Sequence, residues 1–153
     1  MDIYGIRILD EKNDIISVML KDILELIDNG QKFYWAIFLL ETTWLLTKDQ
    51  IIPLSEEKVK KEKNGLLISW DELNLLAKKI YQEINIVVVG CKNKENLHHY
   101  DDDKEMCQKC DFVILMIDTS YWEVFTLSKN FLMKCQKKFK QTELLDKIEP
   151  FNV

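Results

Sequence analysis

The residues best suited to chemistry are four cysteines, Cys91, Cys107, Cys110 and Cys135, and two histidines, His98 and His99. Cys107-Gln108-Lys109-Cys110 is a C-x-x-C pair. With Cys91 and one histidine it would supply the four thiolate and imidazole ligands of a closed structural zinc site. The pair stands alone, and the stretch around it lacks the glycine that turns a zinc knuckle tightly. The competing reading is reduced thiols beside exposed histidines, as expected of a chain without a secretory leader. A thioredoxin-like use would need a helix after the pair to lower the thiol pKa, where a strand is expected instead. His98-His99-Tyr100-Asp101-Asp102-Asp103 sets a base beside carboxylates suited to acid–base work or to a hard cation. It lacks the alternating ligands and central glycine of a calcium loop. Asp118 and Ser120 invite comparison with a hydrolytic triad, but no G-x-S-x-G elbow, phosphate-cradling loop or dinucleotide fingerprint is present. The expectation is a non-enzymatic protein with no cofactor.

Bulk properties agree with that expectation. A length of 153 residues fits one domain spanning 1–153. A 47% hydrophobic content with 31% charged residues, four glycines and two prolines excludes disorder and collagen-like repeats. No apolar run is long enough for a membrane span, and residues 1–5 do not resemble a signal peptide, so the expected location is the cytoplasm. The net charge of −5 argues against a nucleic-acid partner. Residues 1–50 carry most of the excess, with nine acids against five bases. Arg7 is the sole arginine, so bidentate phosphate recognition is almost absent.

Periodicity supplies the elements that must position these residues. Residues 3–9 alternate as a strand, and 10–14 read as a polar turn. From Ile15 the apolar positions Ile16, Met19, Leu20, Ile23, Leu24 and Ile27 recur at helical spacing, with Asn13 or Asp14 as N-cap and Gly30 as the stop. Residues 33–40 and 43–46 are expected to form a hairpin that reverses near Glu41-Thr42. Residues 55–65 suggest an exposed loop or short helix. Ser69-Trp70-Asp71-Glu72 spells a capping box, opening a helix through Leu73, Leu76, Ala77 and Ile80. Residues 85–91 read as a buried strand, followed by a polar loop through Glu105. Residues 112–117 and 121–126 flank Asp118-Thr119-Ser120 as a second hairpin. Ser128 caps a last helix carrying Phe131, Leu132, Cys135 and Phe139 on one face, and the chain past Pro150 is expected to fray. The predicted class is α+β: a mainly antiparallel sheet of about six strands with three helices packed on it.

One segment carries a resemblance. Cys110-Asp111-Phe112-Val113-Ile114-Leu115-Met116-Ile117-Asp118-Thr119-Ser120-Tyr121-Trp122-Glu123-Val124 is similar to the C-D-x-x-[apolar]-D-S-S-Y-W-E-V segment of small bacterial proteins, some of them similar to immunity proteins encoded beside polymorphic or contact-dependent toxins. Thr119 stands where that pattern has serine. Residues 33–37 and 69–73 echo the same proteins more loosely. The resemblance implies a rigid scaffold that neutralises a basic toxin or effector domain by occlusion, the alternative being a small bacterial protein with another interaction role; edge strands of the sheet leave monomer and homodimer both open. Asp101, Asp102, Asp103, Trp122 and Glu123 are the candidate contact residues. Trp44 and Trp122 are the tryptophans whose exposure would favour binding, and Cys91, His98, Cys107 and Cys110 remain the candidate zinc ligands of a metal-stabilised alternative.

Overall fold

Alternation along short apolar segments builds the molecule, whose computed structural model describes residues 2–44 and 55–148. Seven strands lie in the order β5 (Leu66–Ile68), β4 (Tyr34–Trp44), β6 (Ile80–Cys91), β7 (Phe112–Ile117), β8 (Tyr121–Thr126), β1 (Tyr4–Ile8) and β9 (Thr142–Leu145), and every neighbouring pair is antiparallel. Because side chains alternate between faces, the register sorts them into rows that cross the sheet. On the first face Ile37, Val88, Ile114, Val124 and Ile6 form one row, and Leu40, Ile86, Met116, Trp122 and Ile8 the next. All ten are buried. The apolar stripes of α1 (Leu20–Leu24), α3 (Trp70–Lys79) and α5 (Lys129–Lys138) cover them. On the second face the row Ala36, Val89, Val113, Phe125 lies beneath α4 (Asp103–Lys109) and the loop before it, through Met106, Cys107, Leu97 and Tyr100.

The α+β class and the antiparallel sheet are as the sequence implies; among the described residues the main sheet has seven strands and there are five α-helices, in place of six and three. The expected 33–46 hairpin does not form. β4 continues through Glu41 and Thr42 and pairs with β6 from Tyr34 to Trp44, with register shifts at Ile37/Leu39, Glu41/Thr42 and Thr43/Trp44. Neither residue demands a turn, and the long β6 offers ladder partners on both sides of them. Leu45, Leu46, the Trp44 side chain and the tail past Pro150 lie outside the described residues. The first helix is only α1, because Asn13 and Asp14, at φ 56° and 63°, form the turn of a two-residue ribbon, β2 (Glu11–Lys12) and β3 (Ile15–Ile16), rather than an N-cap. Residues 55–65 contain α2 (Ser55–Lys61), and the polar loop before β7 contains α4, so the C-x-x-C pair begins on a helix. β9 follows the last helix and had no strong sequence signal. The Ser69 and Ser128 caps are both present, accepting from Glu72 N and Phe131 N at 3.1 Å.

Glu83 is the one carboxylate among the described residues that is buried, and its Oε1 accepts from Leu20 N at 2.9 Å, at the start of α1. Burial disfavours the ionised form, so its pKa lies above the ordinary carboxylate value, a shift that the Leu20 N–H opposes. Its contribution to stability is therefore present below the unfolded pKa and is lost as pH rises through the folded-state pKa. Glu83→Gln keeps the acceptor and cannot ionise. Urea unfolding is expected to show the variant gaining on the parent between about pH 4, near the ordinary glutamate value, and about pH 7.5. The same difference at both pH values would refute this.

Candidate docking surface

The second face is less fully covered in one half, where a row of the ladder has Val87 and Leu115 buried, Leu39, Arg7 and Glu123 half-buried and Glu143 exposed. Leu39, Val87, Leu115, Glu123, Arg7 and Glu143 stand side by side across β4, β6, β7, β8, β1 and β9. Arg7 sits between two acids. Its Nη2 and Nε donate to Glu123 Oε2 at 2.8 and 3.1 Å, its Nη1 lies 3.7 Å from Glu143, and its guanidinium is 4.5 Å from the centre of the Tyr121 ring. The hydrogen bond to Glu123 raises the pKa of Arg7, so the guanidinium stays charged. Such a part-exposed pair contributes only about 0–1 kcal/mol to stability. The apolar interior, not this cluster, holds the sheet. Beyond it lie Ile117, Asn85 and Glu41, with Asn85 donating to Glu41 at 3.3 Å and accepting from Asp118 N at 2.7 Å. Leu39, Ile117 and Tyr121 thus lie among Glu41, Asp118, Glu123 and Glu143, with Arg7 between the last two.

The acidic candidates fall on this same side of the sheet. Asp101 and Asp102 are exposed, and Asp102 caps α4 by accepting from Lys104 N at 3.0 Å. Asp101 lies 3.2 Å from His99 Nε2, and Asp103 is partly buried in the first turn of α4. Trp122 is not a contact residue. It is 0% exposed on the first face, with its Nε1 donating to Val18 O at 2.7 Å. Period two requires this, since Trp122 and Glu123 are adjacent and must face opposite ways. The aromatic beside Glu123 on the open face is Tyr121. The same alternation read outward from Ile6 and Ile8 would have found Arg7. Glu143 had no such signal, because its position depends on β9.

The proposed zinc ligands do not come together as a set of four, although Cys91 and Cys110 are hydrogen-bonded to each other. Among the described residues no group of three or more His, Cys, Asp or Glu side chains is placed to hold a metal ion. His98 stacks on Tyr100 with ring centres 4.1 Å apart, and its Nδ1 lies 2.9 Å from His99 O. Cys110 Sγ donates to Asn96 O at 3.7 Å. All four cysteines are buried. Hydrogen bonding to Cys110 and burial push the Cys91 thiol far up, burial does the same to Cys107, and burial raises Cys135 to about 12. Cys91, Cys107 and Cys135 are thus apolar filling, protonated at neutral pH. Ser120 Oγ donates to Ile117 O at 2.6 Å and is part of a turn, in which Asp118 and Thr119 both have φ 56°.

Two surface clefts stand apart from these residues. The larger, about 830 Å³, opens between the start of α5 and the loop after β6. Three of its charged side chains are engaged: Asp28 with Lys134 at 2.6 Å, Asp111 with Lys92 N at 2.8 Å, and Lys109 with Glu105 at 2.9 Å. The smaller, about 440 Å³, lies at the β5 edge between Tyr34, Trp70 and Asp71. No protein-family model, curated protein or solved structure matches the chain.

Proposed function

We propose that this protein is a non-enzymatic docking module that binds a basic protein partner on its second face, in the manner of an immunity protein that occludes a cognate toxin. The supporting observation is the composition of the open half of that face. Glu41, Asp118, Glu123 and Glu143 surround Leu39, Ile117 and Tyr121, with Arg7 held in place between two of the acids. A rigid sheet with an apolar, aromatic centre and a charged rim is suited to recognition, because little side-chain freedom is lost on binding. The acidic rim favours a cationic partner and speeds its approach. Asp101 and Asp102 extend the same sign of charge over the covered half. No helix among the described residues is long and apolar enough to cross a membrane.

The test is growth of host cells expressing the product of the adjacent upstream gene, with and without this chain. Rescue by the folded parent, reduced in Glu41→Lys and Asp101→Lys, supports the proposal. With purified partner, each reversal is expected to slow association several-fold at about 50 mM salt and to matter little at about 500 mM. A harmless neighbour, or rescue indifferent to both reversals, would overturn it.

A further inference from the structure

A second surface shows a self-complementary pattern independent of the docking face. β5 is a three-residue edge strand, paired with β4 on one side only. Elsewhere on that side of β4 the edge is already engaged, since Glu56 Oε1 of α2 accepts from Thr42 N at 3.0 Å and from Thr42 Oγ1 at 3.2 Å. At β5 no strand among the described residues occupies the outer edge. Leu67 is 51% exposed there, and Tyr34, diagonal to it on the same face, is 50% exposed. An apolar edge left open in this way is a template for another strand.

The charges that flank β5 say which strand. Before it come Lys58, Lys60 and Lys61 in the last turn of α2, then Glu62 and Lys63, a stretch of net positive charge; after it come Asp71 and Glu72 in the first turn of α3. The strand thus carries positive charge at one end and negative charge at the other. We infer that β5 pairs antiparallel with β5 of a second copy of this chain, joining two seven-stranded sheets about a two-fold axis at Leu67. In that register Leu67 meets its own counterpart and Leu66 meets Ile68. Just outside the paired strands, Lys63 in the turn before β5 of one copy and Asp71 in the first turn of α3 of the other lie toward the same end of the seam. The basic end of each α2 then approaches the partly aromatic cleft that Tyr34, Trp70, Asp71 and Glu72 line together with Lys94. Parallel pairing would instead bring like charges together. The opposite edge, β9, also follows a basic helix end, with Lys137 and Lys138 in the last turn of α5 and then Lys140, but the oppositely charged Asp146 and Lys147 follow it, so no acidic end matches that basic one. Pairing at β5 leaves the open half of the second face exposed, so both surfaces can be used at once.

Sedimentation velocity of the full chain from about 5 to 500 µM tests the inference, because small, partly polar interfaces are weak. A monomer–dimer equilibrium that weakens with added salt is expected. Leu67→Lys is expected to raise the dissociation constant at least tenfold, with thermal melting unchanged, since Leu67 is exposed in the monomer. Lys63→Glu and Asp71→Lys are each expected to raise it by about fivefold through two symmetry-related ion pairs, and combining them should restore most of the loss. A chain that stays monomeric at the highest concentration would overturn the inference. So would a dimer that survives Leu67→Lys, a charge swap no better than its single variants, or a dimer abolished by Leu144→Lys on β9. None of these outcomes bears on the docking face, which has its own charge reversals.

Discussion

Trp122→Ala is expected to lose about 3–5 kcal/mol of stability, the range for deleting a large buried aromatic. The ring is fully buried in the first-face row between Met116 and Ile8, and its Nε1–H is the donor seen for the Val18 carbonyl. That bond ties the segment leading into α1 to the middle of the sheet. Truncation therefore opens a cavity and strands a buried carbonyl together. Trp122→Phe separates the two effects. It keeps much of the volume and loses the donor, so about 1–3 kcal/mol should go with the unpaired carbonyl alone. Against a typical total of about 5–15 kcal/mol, the alanine variant would stand close to unfolding. Urea denaturation followed by far-ultraviolet circular dichroism measures both. A loss under about 1 kcal/mol for Trp122→Ala would contradict the core assigned here.

Gly90→Ala is expected to cost about 1–3 kcal/mol by overpacking, unusually large for one methyl group. Gly90 stands directly opposite Trp35 on β4, and a Cβ there would come within 2.6 Å of the six-membered ring of the indole. Trp35 cannot yield cheaply. Its Nε1 donates to Gly30 O at 2.8 Å, and its rings pack on Trp70 and Phe112 at 5.2 and 5.8 Å between centroids. Gly30 in turn leaves room for the Trp70 ring. Trp35→Leu removes the atoms that would clash. In a double-mutant cycle Gly90→Ala should cost less in that background, with a coupling of about 0.5–3 kcal/mol. Strict additivity would show that the indole and the added methyl do not meet.

Both variants fall on residues whose types were plain in the sequence and whose partners were not. The caps at Ser69 and Ser128, the β7–β8 hairpin and the apolar stripe of α5 were legible because each depends on residues a few positions apart. A capping hydroxyl meets an N–H three residues on, and a turn needs only its own backbone. The 33–46 hairpin was misread for the opposite reason. Whether β4 turns at Glu41 or continues is settled by β6, some forty residues later, which offers ladder partners on both sides of that residue. α1 was overextended because helical and strand periods overlap over a short apolar run, and the Asn13-Asp14 turn took the residues read as its cap.

The candidate surface divides the same way. Sequence alone determined a predominantly antiparallel α+β chain, a net negative charge, a lone arginine, and the rule that Trp122 and Glu123 face opposite sides of a strand. Which side is buried was decided by the helices that pack on the first face. Only the tertiary structure aligned Arg7, Glu123 and Glu143 from three distant strands into one row, and kept Cys91, His98 and Cys107 from forming a metal site. The physical reason is that local preferences act over a few residues, whereas strand order and register arise from burying apolar surface across the whole chain, and distant side chains meet only where that burial brings them together.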